Sequence, residues 1–141
     1  MDTLTKALYT AEASVTGGRA GHGTSSDGVL SLDLRVPEAM GGPGGGTNPE
    51  QLFAVGYAAC FQSALAGVGR RQSVDTSGSL ITSRVSIGLI GNGRYGLAVE
   101  LAVSIPGVEP GVARELVEEA HQVCPYSNAT RGNIEVKLSI A

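Results

Sequence analysis

The chain holds two thiols, Cys60 and Cys124, among 141 residues. A cysteine becomes a nucleophile, metal ligand or redox partner only as its thiolate, so its surroundings decide what it can do. Cys60 lies in the middle of an apolar run and Cys124 at the end of an amphipathic one. Both fall on faces that the pattern buries, so the two can meet in a core. Inert packing is the usual fate of a buried cysteine, and on residue types alone it stands beside the reactive reading. Cys124 falls in the last turn of a helix, where the dipole disfavours a thiolate. Apolar burial disfavours one at Cys60. Each therefore needs a cation from outside its own helix. Arg19, in a glycine-rich turn, is the candidate, and Glu50 is a carboxylate able to orient its guanidinium. Glu50 and Cys60 are ten residues apart, roughly 15 Å along an unbroken helix. They share a site only if the helix breaks or a second subunit contributes, which points towards a dimer.

Other motifs carry less. His121-x-x-Cys124, with Cys60 and His22, offers four zinc ligands, but zinc sites usually pair their ligands closely at both ends and this set does not. The ordinary reading puts His121 at the edge of a buried face, its charge favoured near a helix C-terminus. Gly91-x-Gly93-x-x-Gly96 matches a dinucleotide fingerprint in letters only, since strands flank it and no helix follows to receive a pyrophosphate. Residues 41–47 have the glycines of a phosphate loop without its lysine. Asn128-Ala129-Thr130 is a glycosylation sequon with no visible secretory route.

The elements that must position these residues follow from periodicity. Asn48, Pro49 and Gln51 mark a helix start, and the helix runs from about 49 to 67–69, closed by Arg70 and Arg71. Between Leu52 and Val68 only Gln62 and Ser63 are clearly polar, which predicts burial on all sides, in a core or an interface. Residues 6–15 read as a strand, 17–23 as a turn and 29–36 as a half-buried strand, with a short strand near 22–25. Residues 41–46 read as a flexible loop. Residues 79–90 and 95–105 form a hairpin across Gly91-Asn92-Gly93-Arg94. Pro110 opens an amphipathic helix that Pro125 ends, and 133–140 is a last alternating strand. The order strand–strand–helix–strand–strand–helix–strand predicts one α+β domain over residues 1–141, with antiparallel sheets around a buried central helix.

The bulk composition excludes several classes. A net charge of −3 with 16% charged residues leaves no electrostatic footprint for nucleic acid. There is no basic amphipathic stretch for a membrane surface. No apolar stretch reaches the roughly 18 residues that span a bilayer, and no signal peptide is visible. The expected location is the cytoplasm. Two cysteines there are inert, metal-binding or redox-active rather than a disulfide framework.

The segments Thr47-Asn48-Pro49-Glu50-Gln51-Leu52-Phe53-Ala54, Gly56-Tyr57-Ala58-Ala59-Cys60-Phe61 and Val123-Cys124-Pro125-Tyr126-Ser127-Asn128-Ala129-Thr130-Arg131-Gly132-Asn133 resemble the two cysteine segments of organic hydroperoxide resistance proteins, the Ohr branch of the OsmC/Ohr superfamily. Thr16-Gly17-Gly18-Arg19 and Ser25-Ser26-Asp27-Gly28 match as well, so the resemblance covers essentially the whole chain. It implies a cofactor-free, cysteine-based peroxidase of the oxidative stress response, built as an intertwined homodimer. By that resemblance Cys60 is the peroxidatic thiolate and Cys124 the resolving thiol, which form a redox-active disulfide. Arg19 stabilises the thiolate, and Glu50 holds Arg19. The expected substrates are alkyl or lipid hydroperoxides, and the expected reductant is a lipoylated protein or another dithiol. Phe53, Tyr57, Phe61 and Tyr126 are candidates for an apolar pocket, with core packing as the alternative for each. An OsmC-type peroxidase of other substrate preference, a thiol redox sensor and a zinc module are the competing readings.

Overall fold

The apolar run folds as one unbroken helix, α1 (Pro49–Arg71), starting directly after the buried Asn48 and ending in Arg70 and Arg71. In the computed structural model, which describes residues 1–141, the chain forms two compact units, Met1–Pro49 and Glu50–Ala141.

The first unit is built on a three-stranded antiparallel sheet of β1 (Ala13–Thr16), β2 (His22–Ser25) and β3 (Ser31–Asp33). The strands are shorter than the alternation at 6–15 and 29–36 predicts. A glycine-rich 3-10 turn, Gly18–Ala20, carries Arg19 between β1 and β2. The stretch 41–46 is not the loose linker its composition suggests. The Gly44 N–H bonds to the Val36 carbonyl (3.0 Å), the Thr47 N–H to Asp33 and the Arg35 N–H to Thr47, both at 2.9 Å. These bonds fix the loop to the extension of β3. His22 is also committed within this unit, its Nδ1 2.9 Å from Asp33 Oδ1 and its Nε2 3.0 Å from Ser31 Oγ.

The second unit packs α1 and α2 (Pro110–Val123) with a sheet of order β4 (Leu80–Gly91), β5 (Arg94–Ser104), β6 (Val136–Ile140). β4 and β5 form the predicted hairpin. Asn92 and Gly93, at φ 51° and 70°, make its two-residue turn in the left-handed geometry that suits tight hairpins. β6 pairs parallel to β5, so the expectation of purely antiparallel pairing is corrected. The crossover through α2 brings the chain back in the same direction, which parallel strands require. Its core joins Tyr57, Phe61, Leu65 and Val68 of α1 to Val99, Leu101 and Val103 of β5 and to Ala113, Leu116, Val117 and Ala120 of α2. Spacings of three and four residues place the α1 and α2 members on single helix faces.

Within the single chain α1 is buried on one face only: Val55 is 71% exposed and Leu52 39%. One apolar face fills the core and another lies open in the single chain. At 23 residues α1 is also long and apolar enough to cross a membrane by length and composition, which corrects the expectation that no stretch reaches that length; the alanines between its large residues help to keep its average hydropathy high. The face packed against β5 and α2 identifies it as a core helix.

Candidate thiol site

Cys60 lies on α1 one turn beyond Tyr57, at the edge of the core and half-buried. Cys124 follows α2 directly. Its N–H bonds to the Ala120 carbonyl, closing that helix, and its own carbonyl accepts from the Asn128 N–H, opening a second one. Pro125 therefore ends α2 as predicted, and it also starts a further helix beyond those expected, α3 (Pro125–Thr130). The signal was available, since proline is favoured in the first helical turn. Held between two helices, Cys124 is fully buried, and its Sγ sits 3.6 Å from Cys60 Sγ. Both cysteines are free thiols. A disulfide needs the sulfurs at about 2.05 Å, so closing the pair takes a movement of about 1.5 Å and no refolding.

Burial is the chief influence on Cys60 and pushes its thiol above the ordinary range. The neighbouring Cys124 adds to this, while the Tyr126 backbone N–H, hydrogen-bonded to Cys60, opposes it. That amide, which steadies negative charge on the sulfur, is the feature sequence reasoning missed. It acts through the backbone, so no residue type announces it.

The four aromatic candidates separate. Phe53, Tyr57 and Tyr126 form a triangle with ring centroids 5.7 to 6.1 Å apart in tilted and edge-on arrangements. Phe61 lies fully buried in the core and stands outside that triangle. Tyr126 lies across Gly56, where a Cβ would come within 2.9 Å of the Tyr126 hydroxyl. Phe53 also borders a cavity of about 670 Å³, which opens beside Ile90, Tyr95, Leu97 and Ile134.

Behind the thiols runs a buried polar chain. Tyr57 Oη is 2.8 Å from Ser127 Oγ and 2.9 Å from Thr130 Oγ1, and Ser127 Oγ is 2.7 Å from His121 Nδ1. His121 is thus a partner of Ser127 rather than a charged helix-end residue. Burial, with the Arg131 guanidinium, pulls its imidazole below the ordinary range. His22 is held in the other unit by Asp33 and Ser31, and no group of three or more metal-ligating side chains comes together anywhere in the chain. Glu50 lies in the first turn of α1, and because the helix is unbroken it stands roughly 15 Å along the axis from Cys60. Arg19 is half-buried in its 3-10 turn.

An α+β chain with one thiol on a long apolar helix, faced by a second thiol between two helices, defines a protein of the OsmC-like class, and the OsmC-like family model matches residues 42–139. The organic hydroperoxide resistance protein of Xanthomonas axonopodis pv. citri is 52% identical over 138 residues, covering 96% of each chain. OhrB of Bacillus subtilis is 47% identical over 135 residues, covering 95% of this chain and 98% of its own. A solved structure described as a putative organic hydroperoxide resistance protein from Vibrio cholerae, with captopril bound in one of the active sites, superposes with a TM-score of 0.94. It is 46% identical and covers 99% of this chain and 96% of its own. The chain belongs to the organic hydroperoxide resistance family.

Proposed function

We propose that the protein is a thiol peroxidase that reduces organic hydroperoxides to alcohols. The observation that carries this is the 3.6 Å approach of two free thiols, one of which receives a backbone N–H. In the first step the Cys60 thiolate attacks the distal peroxide oxygen. The O–O bond breaks, the leaving alkoxide takes a proton to become the alcohol, and Cys60 becomes a sulfenic acid. In the second, Cys124 attacks the Cys60 sulfur, a disulfide forms and water leaves. A dithiol, in this reading a dihydrolipoyl group on a protein partner, then exchanges with the disulfide and restores both thiols. Arg19 is the proposed cation that offsets the burial cost of the Cys60 thiolate, and Glu50 orients Arg19.

Tyr126, whose N–H meets Cys60, and Phe53, in ring contact with Tyr126, offer apolar surface for the organic part of the substrate, which supports a preference for alkyl or lipid hydroperoxides. The open face of α1 supports a homodimer, since exposed Val55 and Leu52 on a long apolar helix call for a partner. The cytoplasm, where thiols are kept reduced, is the proposed setting.

The test is peroxide consumption at matched concentrations. Cumene hydroperoxide with dihydrolipoamide should be turned over fastest, ahead of hydrogen peroxide and ahead of thioredoxin as reductant. Equal rates for the two peroxides would argue for the OsmC-type preference. Stoichiometric oxidation without turnover by any dithiol would argue for a redox sensor.

A further inference from the structure

We infer that Ser127 and Thr130, bridged by the Tyr57 hydroxyl and anchored by His121, are positioning residues for disulfide closure, because they lock α3 to α1 and so set Cys124 against Cys60. The inference rests on the proposed peroxidase reading for its role, though not for its geometry.

Tyr57 precedes Cys60 by one helical turn on α1, so a bond from its hydroxyl to α3 ties that helix to the segment bearing the first thiol. Ser127 and Thr130 are the residues of α3 that point into the core, at 0% and 4% exposure. Cys124 is the residue from which α3 starts, and Tyr126, whose N–H meets Cys60, lies in its first turn. Any rotation of α3 therefore moves both the resolving sulfur and the amide. Arg131 braces the far end, its guanidinium donating to the His121 carbonyl at 2.8 Å.

Proton counting gives the chain a direction. The Thr130 hydroxyl donates to the Ser127 carbonyl at 3.3 Å. Its oxygen is then an acceptor for Tyr57, whose single proton is used there. Tyr57 must accept from the Ser127 hydroxyl, and Ser127 must accept from His121 Nδ1–H. Only this order makes all four bonds, with each hydroxyl donating once. The opposite order leaves the Thr130 bond unmade. Three hydroxyls in an apolar core are costly unless each is satisfied. Apolar residues of similar shape would fill the same space, so a completed, one-directional chain specifies orientation rather than bulk.

The step it serves balances without further reagents. Sulfenic Cys60 and the Cys124 thiol give the disulfide and one water, with the Cys124 proton leaving on the departing hydroxide. The sulfurs must close by about 1.5 Å from 3.6 Å, and misplacement of about 1 Å at such a step costs on the order of 100-fold.

The experiment compares Ser127→Ala, Thr130→Val and Thr130→Ser with the unmodified protein. Circular dichroism and thermal unfolding confirm that each is folded. Stopped-flow with cumene hydroperoxide, with dimedone trapping, separates sulfenic acid formation from disulfide closure. Ser127→Ala and Thr130→Val should slow closure roughly tenfold to 100-fold. They should accumulate trapped sulfenic acid, its formation slowing by no more than the few-fold that a displaced Tyr126 amide, a secondary influence on Cys60 after burial, accounts for. Thr130→Ser, which keeps the hydroxyl, should close at the original rate. A second arm uses glutathione disulfide, which oxidises the two thiols to the disulfide as it becomes two reduced glutathiones. The effective concentration of Cys124 towards Cys60 should fall by the same factor in the first two variants. This arm judges the positioning claim even if the unmodified protein ignores peroxides. Folded Ser127→Ala and Thr130→Val proteins with unchanged closure and unchanged effective concentration would overturn it.

Discussion

Arg19 carries the sharpest residue-scale claim. Burial raises the Cys60 thiol, and the Tyr126 amide offsets this only in part. A cation is the remaining way to hold a thiolate in such a site. Arg19→Ala should therefore slow the peroxide reaction of Cys60 by about 100- to 1,000-fold. The protein should stay folded, and the pH at which Cys60 reacts with iodoacetamide should shift upward. An unchanged second-order rate would remove Arg19 from the site. At this scale the sequence was partly legible. The cysteine segments are specific because their neighbours are quoted along the chain. The Tyr126 amide was invisible because a backbone donor has no letter of its own. His121 was misread for a related reason: its helix position favours charge, while the burial and the Arg131 guanidinium that suppress it come from tertiary packing.

Elements hold these residues in place, and α3 shows how. A single proline ends one helix and begins the next, which turns Cys124 into a hinge point between two rigid pieces. The His121 anchor makes this arrangement sensitive to acid. Its folded-state pKa lies below the ordinary value of about 6.5, so the unfolded chain binds the proton more readily. The associated stability is present above that ordinary value and is lost as pH falls through it towards the depressed folded pKa. His121→Gln should flatten the fall in thermal stability between about pH 7.5 and pH 5, as read by calorimetry at several pH values. A variant that loses as much stability over that range as the unmodified protein would place the acid sensitivity elsewhere. The hairpin, α1 and α2 were legible because turn residues and long periodic runs specify them locally. The parallel pairing of β6 was not, since direction within a sheet depends on the path of the crossover, which no local pattern encodes.

For the whole molecule, the open face of α1 is the feature the single chain leaves unfinished. All-round apolarity signals that both faces seek cover, and the single chain covers only one of them. In the proposed homodimer a second copy supplies it, and light scattering should return twice the chain mass of 14.3 kDa. Val55→Asp, which puts a charge on an exposed helix position, should shift the species towards the single-chain mass. A monomer at working concentration for the unmodified protein would contradict the assembly.

In the proposed mechanism Cys60 performs the reaction, and its removal is the decisive comparison. Multiple-turnover reduction of cumene hydroperoxide with excess dihydrolipoamide is followed in the unmodified protein and in Cys60→Ser. Sustained turnover is expected in the first and none above the buffer rate in the second. Undiminished turnover by Cys60→Ser would contradict that mechanism.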